Sequence, residues 1–126
     1  MKKIEFTIKC KSNPVPYKRT TRAKKFVDTD YHRYLDWKEK VRRVFSKKFE
    51  SDPEYILQKK TKYYLNITIY FKDLTHADSS NILKGIEDAI FQKPLNDKYI
   101  VPRVKDYYYD KENPRVEVEI IKANRN

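Results

Sequence analysis

The stretch from Tyr63 to Phe71 alternates without interruption, with Leu65, Ile67, Ile69 and Phe71 on one side and Tyr64, Asn66, Thr68 and Tyr70 on the other. A sustained period of two is the pattern of a half-buried strand, so other elements must cover its apolar side. Ile4, Phe6 and Ile8 alternate with Glu5, Thr7 and Lys9 and predict a first strand ending near Cys10. From about Asp30 to Phe49, Tyr34, Trp37, Val41, Val44 and Phe45 recur at helical spacing, with Asp28, Thr29 or Asp30 as N-cap and Ser51-Asp52-Pro53 as the stop. A second helix is predicted from Ser80 to Phe91, where Ile82, Leu83, Ile86, Ala89 and Ile90 form one stripe. Lys98 to Lys105 and Pro114 to Ile121 read as two further strands, joined by a tyrosine-rich connection through Lys111-Glu112-Asn113-Pro114. The order β-α-β-α-β-β predicts an α+β fold with helices packed on one small mixed sheet, since both helix crossovers can produce parallel neighbours. With no repeat or linker in 126 residues, a single domain over 1–126 is expected.

Composition then narrows the chemistry. One glycine excludes P-loops and dinucleotide fingerprints, which need several, so no nucleotide cofactor of that kind is expected. One cysteine and two histidines cannot build a four-ligand zinc site or a disulfide framework within one chain. A reduced, cytoplasmic protein is the expectation, and no apolar run approaches the roughly 18 residues of a membrane span. With 39% apolar and 37% charged residues the core must be thin, and an oligomeric partner can complete it. The net charge is +11, and its distribution is uneven. Residues 1–50 carry 16 basic and 6 acidic side chains, whereas residues 51–126 carry 13 and 12. No acid falls between Glu5 and Asp28, a gap holding Lys9, Lys11, Lys18, Arg19, Arg22, Lys24 and Lys25. Such a segment suits a polyanion and binds it without regard to sequence. Pro14 and Pro16 favour extended backbone there, and Tyr17 or Phe26 could stack on exposed bases.

The second helix carries Asn81, Lys84 and Asp88 at i, i+3 and i+7, within about 60° of one another on the face opposite the apolar stripe. Asp78 precedes this helix and Asp97 follows the connection after it. Two carboxylates around a lysine suit phosphodiester chemistry: the acids hold a hard divalent ion through oxygen and the ammonium stabilises developing negative charge. The helix rises roughly 18 Å, and the return to Asp97 spans about 23 Å when extended, so the two acids can meet only by a stretched path. Spacing alone fits equally an ordinary helix, in which Asp78 or Ser80 is a cap, Lys84 and Asp88 pair on a solvated face and Asp97 sits in a turn.

These residues, taken in order, resemble the RusA-like Holliday-junction resolvases. The resemblance runs through Pro14-Val15-Pro16-Tyr17-Lys18-Arg19 with Arg22, the segment His76 to Lys84, Glu87-Asp88-Ala89-Ile90, Asn96-Asp97 with Ile100-Val101, and Pro114 to Ile120. It implies a homodimeric, Mg2+-dependent endonuclease, with Mn2+ as a substitute, of a group often phage-derived, that cuts four-way DNA junctions by paired nicks in recombination and repair. By position it implies Asp78, Lys84 and Asp97 as catalytic residues and Asp78 and Asp97 as metal ligands, helped by Ser80, Asn81 or Asn96. It gives Lys18, Arg19, Arg22, Lys24 and Lys25 the DNA backbone. Two departures stand out: Ser80 and Asn96 replace acids of the family pattern, each removing a negative charge from the ion's surroundings. Asp88 or Glu87 could make up the loss. The alternative reading is a weakened or inactive relative that binds DNA or RNA through its charge, and a third is a basic RNA-associated protein in which Asp78 and Asp97 never meet.

Overall fold

In the computed structural model, which describes residues 3–19, 29–51, 57–58, 60–91 and 99–123, the elements follow the expected order. They are β1 (Lys3–Lys9), α1 (Thr29–Glu50), β2 (Tyr63–Phe71), α2 (Ser79–Ile90), β3 (Ile100–Tyr109) and β4 (Arg115–Lys122). The four strands form one mixed sheet in the order β1-β4-β2-β3. β4 is antiparallel to both β1 and β2, and β3 is parallel to β2. One helix crossover therefore yields parallel neighbours. The other joins strands of like direction, β1 and β2, between which β4 is inserted.

Alternation places Ile4, Phe6 and Ile8 of β1, Leu65, Ile67, Ile69 and Phe71 of β2, and Val116, Val118 and Ile120 of β4 in one buried layer. Tyr34, Trp37 and Val41 of α1 and Ile82, Ile86, Ala89 and Ile90 of α2 close it from the same side. The core is thin, as the composition requires. No described helix is long and apolar enough to cross a membrane.

The opposite sheet face is built from polar and aromatic side chains. Asn66 is buried there, donating to Glu119 (2.9 Å) and accepting from Arg103 Nε (2.8 Å). The Arg103 guanidinium lies 3.9 Å from the Tyr64 ring centre and Arg115 3.6 Å from that of Tyr70, which stacks on Tyr108. A buried amide is tolerated because both ends are satisfied.

The expected end of β3 is corrected by the structure. The strand runs four residues past Lys105, so Tyr107, Tyr108 and Tyr109 pair with Ile69, Tyr70 and Phe71 and are not part of a connection. The reason is a bulge: Val104 pairs with Ile67 and Asp106 with Thr68, leaving Lys105 as the extra residue. Its insertion switches the helix-side face from even to odd positions, which hides the strand from a period-two reading.

Candidate active site

α2 starts at the end of the sheet marked by Phe71 and Tyr109, because the β2-α2-β3 crossover must carry the chain back for β3 to run parallel. Asp78 is its N-cap residue, with φ −60° and ψ 140°. Its backbone carbonyl accepts from the amides of Asn81 (3.0 Å) and Ile82 (3.2 Å). Its carboxylate, however, makes no capping hydrogen bond. An N-cap aspartate ordinarily spends its side chain on the N2 or N3 amide, so Asp78 has the position of a cap without the bond. Ser80, Asn81 and Lys84 are exposed on the turns that follow. The first turn of α2 contains no acidic residue, so the Asp78 carboxylate at the cap is the acid that meets the positive end of the helix dipole.

The polar face of α2 is covered by the N-terminal segment. The Tyr17 amide donates to the Asn81 carbonyl (3.1 Å), and the Lys84 ammonium lies 4.4 Å from the centre of the Tyr17 ring. That ring meets Tyr34 edge-on at 5.3 Å. Gly85, the chain's one glycine, lies under this approach: a β-carbon there would stand 3.4 Å from both the Tyr17 amide nitrogen and the Tyr34 ring. Asn13 fixes the other end of the segment. Its carbonyl oxygen accepts from the Lys72 amide (2.6 Å) and its amide donates to Asp73 (2.8 Å), which also accepts from Thr75. Hydrogen bonds from Thr75 and Asn13 hold the Asp73 carboxyl below its ordinary value. Pro14 lies fully buried between the two anchors.

Asp88 has a structural task. It accepts from Tyr34 Oη (2.5 Å) and Lys38 Nζ (2.9 Å) on α1. Burial works against its ionisation, but those two hydrogen bonds and the charges of Lys38 and Arg42 outweigh it and keep the carboxyl below its ordinary value. Burial and the adjoining carboxylate push the Tyr34 hydroxyl far up, so it remains a neutral donor. Arg42 donates to the Ala89 carbonyl near the end of α2. The face expected to be solvated thus joins the two helices, and Asp88 is committed away from Asp78.

The rings beside Asp78 were not among the expected site residues. His76 stacks on Phe71 at 3.6 Å and 11°, its Nδ1 is 2.8 Å from the Ala77 carbonyl, and its Nε2 is 2.8 Å from Tyr109 Oη. Because a carbonyl only accepts, Nδ1 carries a proton and donates to it, and Nε2 shares a hydrogen bond with the Tyr109 hydroxyl. His76 stood in the motif next to Asp78, but nothing in its spacing tied it to a tyrosine 33 residues on.

The structure therefore brings Tyr17 onto Asn81 and Lys84, on the helix that Asp78 caps and that carries Ser80, while Lys18 and Arg19 lie by Asp88, ten residues on from Asp78. Lys18 and Arg19 line a groove of about 220 Å3 that also touches Tyr31, Tyr34 and Lys38. Tyr17 is half-buried beneath Lys84 and is not the open stacking ring expected of it. Arg22, Lys24, Lys25, Phe26, Asn96 and Asp97 lie outside the described residues. Among the described residues, no group of three or more His, Cys, Asp and Glu side chains could hold a metal ion.

A mixed four-stranded sheet with two helices, the second capped by Asp78 and crossed by the N-terminal segment at Tyr17, defines a small α+β protein. The family model for endodeoxyribonuclease RusA matches residues 6–121, nearly the whole chain, and the protein belongs to that family. A search of curated proteins finds no match. The family places the chain among the DNA-cutting nucleases.

Proposed function

We propose that the protein is a Mg2+-dependent endonuclease that resolves four-way DNA junctions by paired phosphodiester cleavage, working as a homodimer whose two-fold axis matches that of the junction. The observation that carries this reading is the Asp78 carboxylate, placed as a helix cap yet free of the capping bond, on the same helix start as Lys84. The available donors are all hard oxygens, from Asp78, Ser80 and Asn81, which fits Mg2+ and not a softer metal. Asp97 and Asn96 would complete the set. β3 opens beside Tyr63, at the end of the sheet away from Phe71, so the reading requires the connection after α2 to carry Asp97 back toward Asp78.

When bound, the ion would polarise the phosphoryl group and lower the pKa of a water. The chain's own groups supply the rest. Lys18 and Arg19, with Arg22, Lys24 and Lys25, hold the DNA arms through phosphate. Lys84 stabilises the charge that develops on the phosphoryl oxygens. Tyr17 keeps the Lys84 ammonium in place through its ring face.

The test is cleavage of a synthetic four-way junction by the purified protein with Mg2+. Paired nicks are expected, lost on chelation and in Asp78→Asn and Asp97→Asn. A second reading, favoured by Ser80 and the acid-free first turn, is a relative that grips DNA or RNA without cutting it. Junction binding with no cleavage in Mg2+ or Mn2+ would establish that reading and overturn the enzyme.

A further inference from the structure

β3 is an edge strand, and the bulge at Lys105 turns Tyr107 and Tyr109 to the helix side of the sheet, where they pair with the core residues Ile69 and Phe71. They are nevertheless 48% and 50% exposed. Their rings stand nearly perpendicular, 6.2 Å apart, and both lean on Phe71. The Tyr109 hydroxyl is tied to His76, which is stacked on Phe71 and anchored to the Ala77 carbonyl. These are open aromatic faces on fixed side chains, so little rotamer freedom remains to be lost on binding. Asp78 lies two residues past His76, at most about 7 Å between α-carbons.

We infer that Tyr107 and Tyr109 form a platform on which an unpaired DNA base stacks beside the start of α2 that carries Asp78. The inference rests on the nuclease reading above and names what would give it a preference for branched DNA. Every base has a π-face, so such a platform tolerates any sequence, as a structure-selective enzyme requires. The surroundings favour a nucleic acid over an apolar protein partner, because the patch is rimmed by charged side chains, Lys72 and Asp73 on the neighbouring turn, and the family is one of DNA-cutting nucleases. The stacked base would lie close to the phosphate that is cut, since Tyr109 is bonded to His76 and Asp78 is only two residues past it. In an intact duplex that base is paired and out of reach. At a branch point it is available, and the platform then rewards the branch.

The test compares affinities of the full-length protein for a four-way junction and for a duplex of equal length, at one salt concentration in EDTA, with 2-aminopurine placed near the branch point. Loss of one stacked base corresponds to roughly a 5- to 150-fold change. The Tyr107→Ala/Tyr109→Ala variant is expected to lose junction affinity within that range, to leave duplex affinity unchanged and to abolish the 2-aminopurine quenching. Tyr107→Phe, which keeps the ring, should behave as wild type. Unchanged junction affinity in the double variant overturns the platform alone, as does an equal loss on duplex or a change in oligomeric mass, which would make the rings a subunit contact. A wild-type protein with no preference for the junction overturns the resolvase reading and the platform with it.

Discussion

At Gly85 the backbone of Tyr17 comes close to α2, yet the fit is not so close that a methyl group would be refused. Contacts of 3.4 Å to the Tyr17 nitrogen and the Tyr34 ring are ordinary van der Waals distances. Helix propensity then decides the sign, and Gly85→Ala is expected to stabilise the protein by up to about 1 kcal/mol in urea unfolding. Gly85→Leu has no such room and should lift the Tyr17 segment from Lys84. Asp88 gives a residue-scale prediction that depends on pH. Its carboxyl is held below the ordinary value by Tyr34 and Lys38 against the opposing effect of burial. The stability this contributes is present above about pH 4, the value of an unfolded aspartate, and fades as the pH falls through the lower folded value. Tyr34→Phe should therefore cost about 1 kcal/mol near neutrality, with the two unfolding curves converging as the pH drops below 4. A gap that persists at acid pH would show that the hydroxyl matters through packing alone. Cys10 offers a simpler check: burial raises its thiol to about 11, with Lys40 opposing, so alkylation at pH 8 should be slow until the protein unfolds.

Among the elements, the N-terminal segment joins parts of the chain that no periodicity connects. Asn13 holds the turn after β2 and Tyr17 holds α2, so the basic residues that follow start from a fixed point. Asn13→Ala removes the acceptor of the Lys72 amide and the donor to Asp73 and should cost roughly 1–2 kcal/mol. Hydrogen exchange at the Lys72 and Tyr17 amides should quicken together. If only Lys72 responds, the two anchors are independent. What the residue pattern disclosed follows the same division. β1, α1, β2, α2 and β4 were legible to within a few residues because their apolar period is unbroken. The second half of β3 was not, since one extra residue at Lys105 inverts the phase. Asn81, Lys84 and Asp88 could be read as one face from helical spacing, with Asp78 just before it. The role of Asp88 could not, because its partner Tyr34 is 54 residues away, and neither could the insertion of β4 between β1 and β2, which no local pattern encodes.

At the scale of the whole molecule the charge is spread unevenly along the chain, and on the proposed reading this separates holding DNA from cutting it. The first 50 residues hold 16 basic against 6 acidic side chains, and the remainder is nearly balanced. Some of that excess is occupied within the fold: Lys38 pairs with Asp88, Lys40 bonds the Lys9 carbonyl and Arg42 bonds Ala89. Lys18 and Arg19 instead line the groove, just past the anchored Tyr17, and on the proposed reading they neutralise phosphates. Each phosphate neutralised on duplex arms contributes about 0.9 to the slope of log affinity against log salt. Lys18→Gln/Arg19→Gln should therefore flatten that slope by about 1.8 on the same principle, and should weaken junction and duplex alike because backbone contacts carry no shape information. Lys84→Ala should do the reverse, leaving the slope nearly intact while cleavage at saturating DNA falls by at least about 100-fold, the scale of a lost transition-state charge partner. The paired measurement separates the roles within one reading. If Lys84→Ala flattens the slope as much as the double variant does, Lys84 is another backbone contact, and the phosphoryl charge must be met by a different group.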